Sequence, residues 1–179
     1  MKIVVHICCG VCAAGVVQTL QSEGHEVTGY YCNSNIYPQE EYMKRLESVR
    51  TVAERLVFPL YESQYAPAAW LKAVKGMENE PEGGRHCPIC YRMRLQETYD
   101  FMKTSGADAF TTTLTVSPHK PAPVVNAVGL EIAGDAFLQR DFKKKDGFKK
   151  AMQQARAWNL YRQNYCGCLY SIRGINPNA

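Results

Sequence analysis

Seven of the eight cysteines of this chain fall into three tight groups: Cys8-Cys9-Gly10-Val11-Cys12, Cys87-Pro88-Ile89-Cys90 and Cys166-Gly167-Cys168. Cys9 to Cys12 and Cys87 to Cys90 are both C-x-x-C pairs. Two such pairs supply four thiolates, enough for one tetrahedral zinc or one iron–sulfur cluster, and spacing alone does not separate the two. The surplus is more telling. Cys8, Cys166 and Cys168 remain once a four-thiol site is filled, which points to a second metal or a redox pair. A structural zinc ribbon has no use for them. Neighbouring residues on a strand face opposite sides, so Cys8 and Cys9 need not serve one metal. Cys32 stands alone in an apolar strand and reads as a small core residue. His6 reads as a core histidine, His25 and His86 as turn or surface residues.

Thiols can hold metal only where they stay reduced. The N-terminus lacks the charged and apolar pattern of a secretion signal, and no apolar run approaches a membrane span. The expected location is therefore the cytoplasm, where clustered cysteines read as metal-binding or redox-active rather than as disulfides. At 179 residues with 46% hydrophobic content, the chain can build an ordinary core without staples. The net charge of +4 says little by itself. Its distribution is uneven: Arg140, Lys143, Lys144, Lys145, Lys149, Lys150, Arg156 and Arg162 crowd one stretch. Such a stripe fits contacts to a phosphate backbone, although from charge alone it reads first as a solvated helix face.

The elements that position the thiols follow from periodicity. Residues 2–8 are a near-continuous apolar run, as in a strand buried on both faces. A helix is expected over 12–23, a strand over 26–32, a helix over 39–55, a strand over 57–61 and a helix over 66–76. After an irregular loop at 77–86, Pro88 suits the first turn of a helix over 88–104. A strand at 108–114, a turn at 117–120, a helix from Pro121 or Pro123, a final strand at 136–139 and a helix at 147–160 complete the pattern. The alternation predicts one α/β domain, 1–179, with a parallel sheet flanked by helices and an irregular 161–179 tail folding back on the metal site. Ligands of such sheets gather beyond the carboxyl ends of the strands, where Cys8, Cys9 and Cys12 lie. The ten-residue loop spans roughly 33 Å extended, enough to return Cys87 and Cys90 to that edge. No glycine-rich phosphate loop is present, so no ATP or dinucleotide site is expected.

These residues resemble the QueH family of epoxyqueuosine reductases. The likeness runs from Val5 to about Ser171. It rests on His6-Ile7-Cys8-Cys9-x-x-Cys12, Asn33-x-Asn35-Ile36-x-Pro38, Glu41-Tyr42, Arg45 and Glu82-Gly83-Gly84-Arg85-x-Cys87-x-x-Cys90. It continues through Arg92 to Leu95, Thr111-Thr112-Thr113-Leu114-x-x-Ser117-Pro118-x-Lys120, Asp141-Phe142-Lys143-Lys144-Lys145 and Leu160-Tyr161-Arg162-Gln163-x-Tyr165-Cys166-Gly167-Cys168. One departure is Gly10-Val11, where the family usually has Ala-Pro. The resemblance implies a Rossmann-like fold of the nucleotide α-hydrolase (HUP) type, without ATP use. It implies the last step of queuosine synthesis: reduction of the epoxide of epoxyqueuosine at the tRNA anticodon wobble position, independent of cobalamin. It also implies a 4Fe-4S cluster and a second iron ion, fed by an external electron donor.

Within that implication we assign Cys9, Cys12, Cys87 and Cys90 to the cluster, and Cys8, Cys166 and Cys168 to the second iron. Cys8 and Cys9 can exchange roles. Asp141, His119 and Tyr165 are the candidate catalytic residues. Lys120, Lys143, Lys144 and Lys145 are the candidate substrate and tRNA contacts. Two alternatives have different signatures. A zinc-stabilised tRNA-binding module would leave the surplus thiols without a purpose. A tRNA-thiolating enzyme would need the missing phosphate loop.

Overall fold

The computed structural model describes residues 1–172. Its centre is a four-stranded parallel sheet in the order β3-β2-β1-β4. The first strand, β1 (Lys2–His6), is interior in the sheet; Ile3, Val4 and Val5 are all but sealed from solvent. Its partners are β2 (Glu26–Tyr31) and β4 (Ala109–Thr112), and β3 (Leu60–Glu62) extends the β2 side. Because β1 pairs on one side with the next strand and on the other with the last, the order reverses there. A crevice opens at the carboxyl ends beside such a reversal.

Helices cover both faces. On one, α1 (Gly10–Ser22) packs against α2 (Gln39–Leu56) and α6 (Gly147–Ala157). On the other, α4 (His86–Ser105) packs against α5 (Ala122–Ala133). Short helices α3 (Pro67–Ala73) and α7 (Leu169–Ile172) complete the described chain. The α1–α2 approach explains Gly10. A Cβ there would lie 2.1 Å from Ser48 Oγ and 2.7 Å from its carbonyl oxygen, so the departure from Ala-Pro is matched by close packing on α2.

The expected α/β architecture is present, with local differences. Val57 sits in the left-handed region and closes α2, which moves β3 from the expected 57–61 to Leu60–Glu62. β4 stops at Thr112 rather than 114, because the Thr112 hydroxyl accepts the Leu114 N–H and starts a 3₁₀ turn over Thr113–Val116. The strand expected at 136–139 is reduced to one parallel bridge, Phe110 to Phe137. Only the 161–172 part of the expected tail falls within the described residues. No helix among them is long and apolar enough to cross a membrane.

Candidate metal centre

The carboxyl end of β1 delivers three thiols together. The Sγ atoms of Cys8, Cys9 and Cys12 all lie within 4.8 Å of one another, the one such ligand group among the described residues. Thiolates about 2.3 Å from a tetrahedral ion stand roughly 3.8 Å apart, so this donor set fits a thiophilic metal. Regular structure fixes it. Cys9 leads into the first turn of α1 and Cys12 follows one turn later. Cys8 is tied to the end of β4: its N–H donates to Thr113 Oγ1 (3.0 Å), and that hydroxyl lies 3.2 Å from the Cys8 sulfur. Hydrogen bonds from Cys12 and Cys9 hold the Cys8 thiol well below its usual range despite burial. One thiolate is thus already stabilised there, the form a metal requires.

Cys87 and Cys90 occupy the first turn of α4, where helix amides face outward. The Gly83 N–H donates to Cys87 Sγ at 3.2 Å. Burial pushes the Cys87 thiol up to about 11 and raises Cys90 as well. Cys90 and Cys168 share an apolar cluster with Trp70, Val74 and Tyr170. The Cys166-Gly167-Cys168 turn is held differently, by side chains of α2. Arg45 donates to the carbonyls of Cys166 (2.9 Å) and Tyr165 (3.1 Å) and pairs with Glu41 at 2.7 Å. Its guanidinium also lies over the Tyr165 ring. Tyr161 completes the network by donating to the other Glu41 oxygen at 2.6 Å. The Tyr37 N–H donates to the Gly167 carbonyl at 2.8 Å. Cys166 is held well below the usual thiol range, chiefly by a hydrogen bond from Cys168 and then, against burial, by Lys120, Arg94 and Arg45.

The end of β1 and the Cys166 segment border one cavity of about 340 Å³, lined by Cys8, Cys12 and Cys166 together with Arg45, Arg94, Lys120 and Arg162. Glu82 is the one carboxylate in its lining. Burial, then the neighbouring Cys166, raises the Glu82 pKa. Burial works to discharge Lys120, but Cys166 and Cys8 outweigh it and hold the ammonium charged. The arrangement is a cationic pocket around low-pKa thiols, with one carboxyl group at its wall.

The family described as Epoxyqueuosine reductase QueH matches this sequence over residues 3–174. The chain belongs to the QueH family. Relatives named Epoxyqueuosine reductase QueH include that of Streptococcus pyogenes serotype M1, 32% identical over 96% of this chain and 71% of its own length. That of Acinetobacter baylyi is 31% identical over 98% and 82%, and that of Thermotoga maritima 30% identical over 95% and 90%.

Of the residues expected to act in a QueH protein, Cys8, Cys12, Cys166, His119, Lys120 and Tyr165 line the cavity. Cys9, Cys87, Cys90 and Cys168 are buried outside its lining. Asp141 is not in the lining: its carboxylate accepts the Lys143 N–H (3.2 Å) and faces the Lys143 ammonium at 3.4 Å. Lys143 in turn donates to the carbonyls of Thr115 and Lys120, bracing the turn that carries His119, while Lys144 and Lys145 are exposed. Sequence reading gave no role to Arg45, Arg94, Glu82 or Asn35. All four border the cavity, and all belong to the motifs quoted for the QueH resemblance.

Proposed function

We propose that this protein is an epoxyqueuosine reductase, converting epoxyqueuosine at the tRNA wobble position to queuosine in the cytoplasm, without cobalamin. The observation that carries the reading is the meeting of Cys8, Cys12 and Cys166 with Lys120 and Arg94 on one cavity, in a chain of the QueH family. In the reaction both epoxide C–O bonds break, a C=C bond forms and the oxygen leaves as water. Two electrons from an external donor and two protons balance it.

A 4Fe-4S cluster and a second iron ion would supply one-electron transfer and Lewis acidity when bound. In this reading Cys9, Cys12, Cys87 and Cys90 hold the cluster, and Cys8, Cys166 and Cys168 the second iron. Cys8 lies 3.9 Å from Cys9, which makes it the thiol at the boundary between the two sets. The three-sulfur grouping of Cys8, Cys9 and Cys12 supports a division in which Cys8 joins its neighbours, and single Cys→Ser variants separate the two divisions by which metal is lost.

The remaining roles belong to the cavity wall. Lys120 and Arg94 place positive charge where the departing oxygen gains negative charge. Glu82, whose raised pKa keeps it protonated to higher pH, and His119 at the cavity wall are the proton sources. Tyr165 flanks the opening, its hydroxyl donating to the Tyr37 carbonyl. Asp141 acts through Lys143, fixing the Ser117–Lys120 turn. Lys120, Lys144 and Lys145, with Lys143 set behind them, are the contacts proposed for tRNA.

The test is incubation of anaerobically prepared protein and a chemical reductant with epoxyqueuosine-bearing tRNA, followed by nucleoside mass spectrometry. The expected product is queuosine, 16 mass units lighter by loss of one oxygen, in about one-to-one yield with substrate consumed. No conversion by iron-replete protein would refute the reading.

A further inference from the structure

Four side chains of the cavity wall, Asn33, Asn35, Arg94 and Gln163, each carry a buried polar atom without a hydrogen-bond partner among the described residues, and of these only Asn35 and Arg94 also border the neighbouring cavity. Asn35 is 2% exposed, yet its Oδ1 has no hydrogen-bond partner among the described residues. Arg94 is 5% exposed; its Nε donates to the Cys90 carbonyl, while Nη2 has no partner. An unpaired buried polar atom costs about 1–3 kcal/mol, so native folds rarely keep one without a use. Both side chains line the thiol-bearing cavity and also the neighbouring one of about 300 Å³, so they stand in the wall between the two.

We infer that Asn35 and Arg94 form the subsite that grips the hydroxylated ring of the wobble nucleoside. This rests on the reductase reading. The reacting ring must approach the thiols, and its hydroxyls each both donate and accept. A carboxamide can turn either its oxygen or its N–H to such a group, and a hydroxyl answers both. A guanidinium N–H needs an oxygen acceptor, which the ring's hydroxyl and epoxide oxygens supply. Thiolates can also accept from Arg94, whose neighbours include Cys90, Cys166 and Cys8. They cannot satisfy the Asn35 oxygen. Asn35 is therefore the residue on which the inference turns.

The subsite has a signature that a structural asparagine would not share. Removing a group that bonds nothing in the free protein leaves its stability equal or higher, while binding of the ring is lost. The experiment compares wild type, Asn35→Ala and the near-isosteric Asn35→Leu, all anaerobically prepared, by thermal unfolding and tRNA binding. Three tRNAs serve as probes: one bearing epoxyqueuosine, one bearing queuosine, and one whose wobble deazaguanine carries only an aminomethyl group. The wild type should prefer the two ring-bearing tRNAs. The variants should melt no lower, bind ring-bearing tRNA about tenfold more weakly and bind the ringless tRNA as before, the loss expected for one missing polar contact. Preference retained in both variants would show a recess for water only and overturn the subsite, leaving the reductase reading intact. Equal loss on all three tRNAs with a lower melting point would overturn it in favour of a structural role. Absence of any preference in the wild type would overturn the subsite, while the conversion assay decides the reductase reading separately.

Discussion

The two low-pKa thiols of the cavity, Cys8 and Cys166, are positioned by opposite means. Cys8 follows directly from an interior strand, and backbone geometry places it: β1 is paired on both sides, α1 begins two residues later, and Thr113 at the end of β4 holds its N–H. Cys166 belongs to a segment without regular structure. It stands where it does because one buried arginine from α2 binds two carbonyls of that segment at once. Rigid scaffold holds one side of the metal centre and a side-chain clamp holds the other. The lesson is that the second side can be released without dismantling the first.

The clamp offers the largest effect. Arg45→Gln strands Glu41, a carboxylate only 7% exposed, beside lost carbonyl contacts. Breaking a buried pair from one side costs roughly 3–5 kcal/mol. Denaturant unfolding should show this loss, and Arg45→Lys should recover part of it through Glu41 alone. If Arg45→Gln unfolds like wild type, the clamp is not what holds the Cys166 segment.

The strand side answers to pH. His6, wholly buried at the end of β1 against the Thr112 hydroxyl, has its pKa lowered to about 3, first by burial and then by Arg94. Its unfolded value is near 6.5, so between these limits the unfolded chain binds the extra proton. Stability of the metal-free protein is therefore full above about pH 6.5 and falls as pH drops. The loss is about 1.4 kcal/mol per unit, or roughly 2 kcal/mol by pH 5. Equilibrium unfolding across pH checks it, and His6→Asn should flatten the slope. A slope unchanged in that variant would assign the pH dependence elsewhere.

A smaller change sharpens the contrast. Thr113→Val removes the acceptor of the Cys8 N–H and should cost about 1–2 kcal/mol. Because Cys8 is still held by β1 and α1, metal retention should stay close to wild type, whereas Arg45→Gln should lose metal readily. Iron retained per chain after gel filtration measures both. Equal losses in the two variants would erase the distinction between scaffold and clamp.

The scaffold side was also the legible one. The apolar run before Cys8, the C-x-x-C spacing and the βα alternation each have a local physical signature, and the sheet followed from them. The clamp has a weaker one. Glu41 and Arg45 are charged residues in an amphipathic helix, a pattern that normally means a solvated face. Yet they stand with Tyr42, Leu46, Val49 and Val52 among the buried residues of α2. Charges at helical spacing on an apolar stripe were the available sign. Arg94 and Asn35 gave less warning, because an unpaired atom exists only relative to a tertiary surrounding. The end of β4 and the tie between Asp141 and Lys143 were likewise set by side-chain bonds that periodicity does not record.

The most direct test of the account is the metal itself: iron, zinc and acid-labile sulfide per chain, with anaerobic absorption spectra before and after dithionite. The account predicts about four sulfides with four or five irons and a thiolate-to-iron band that bleaches on reduction, as in thiolate-held clusters. Stoichiometric zinc without sulfide, persisting after anaerobic purification and iron–sulfide reconstitution, would contradict it.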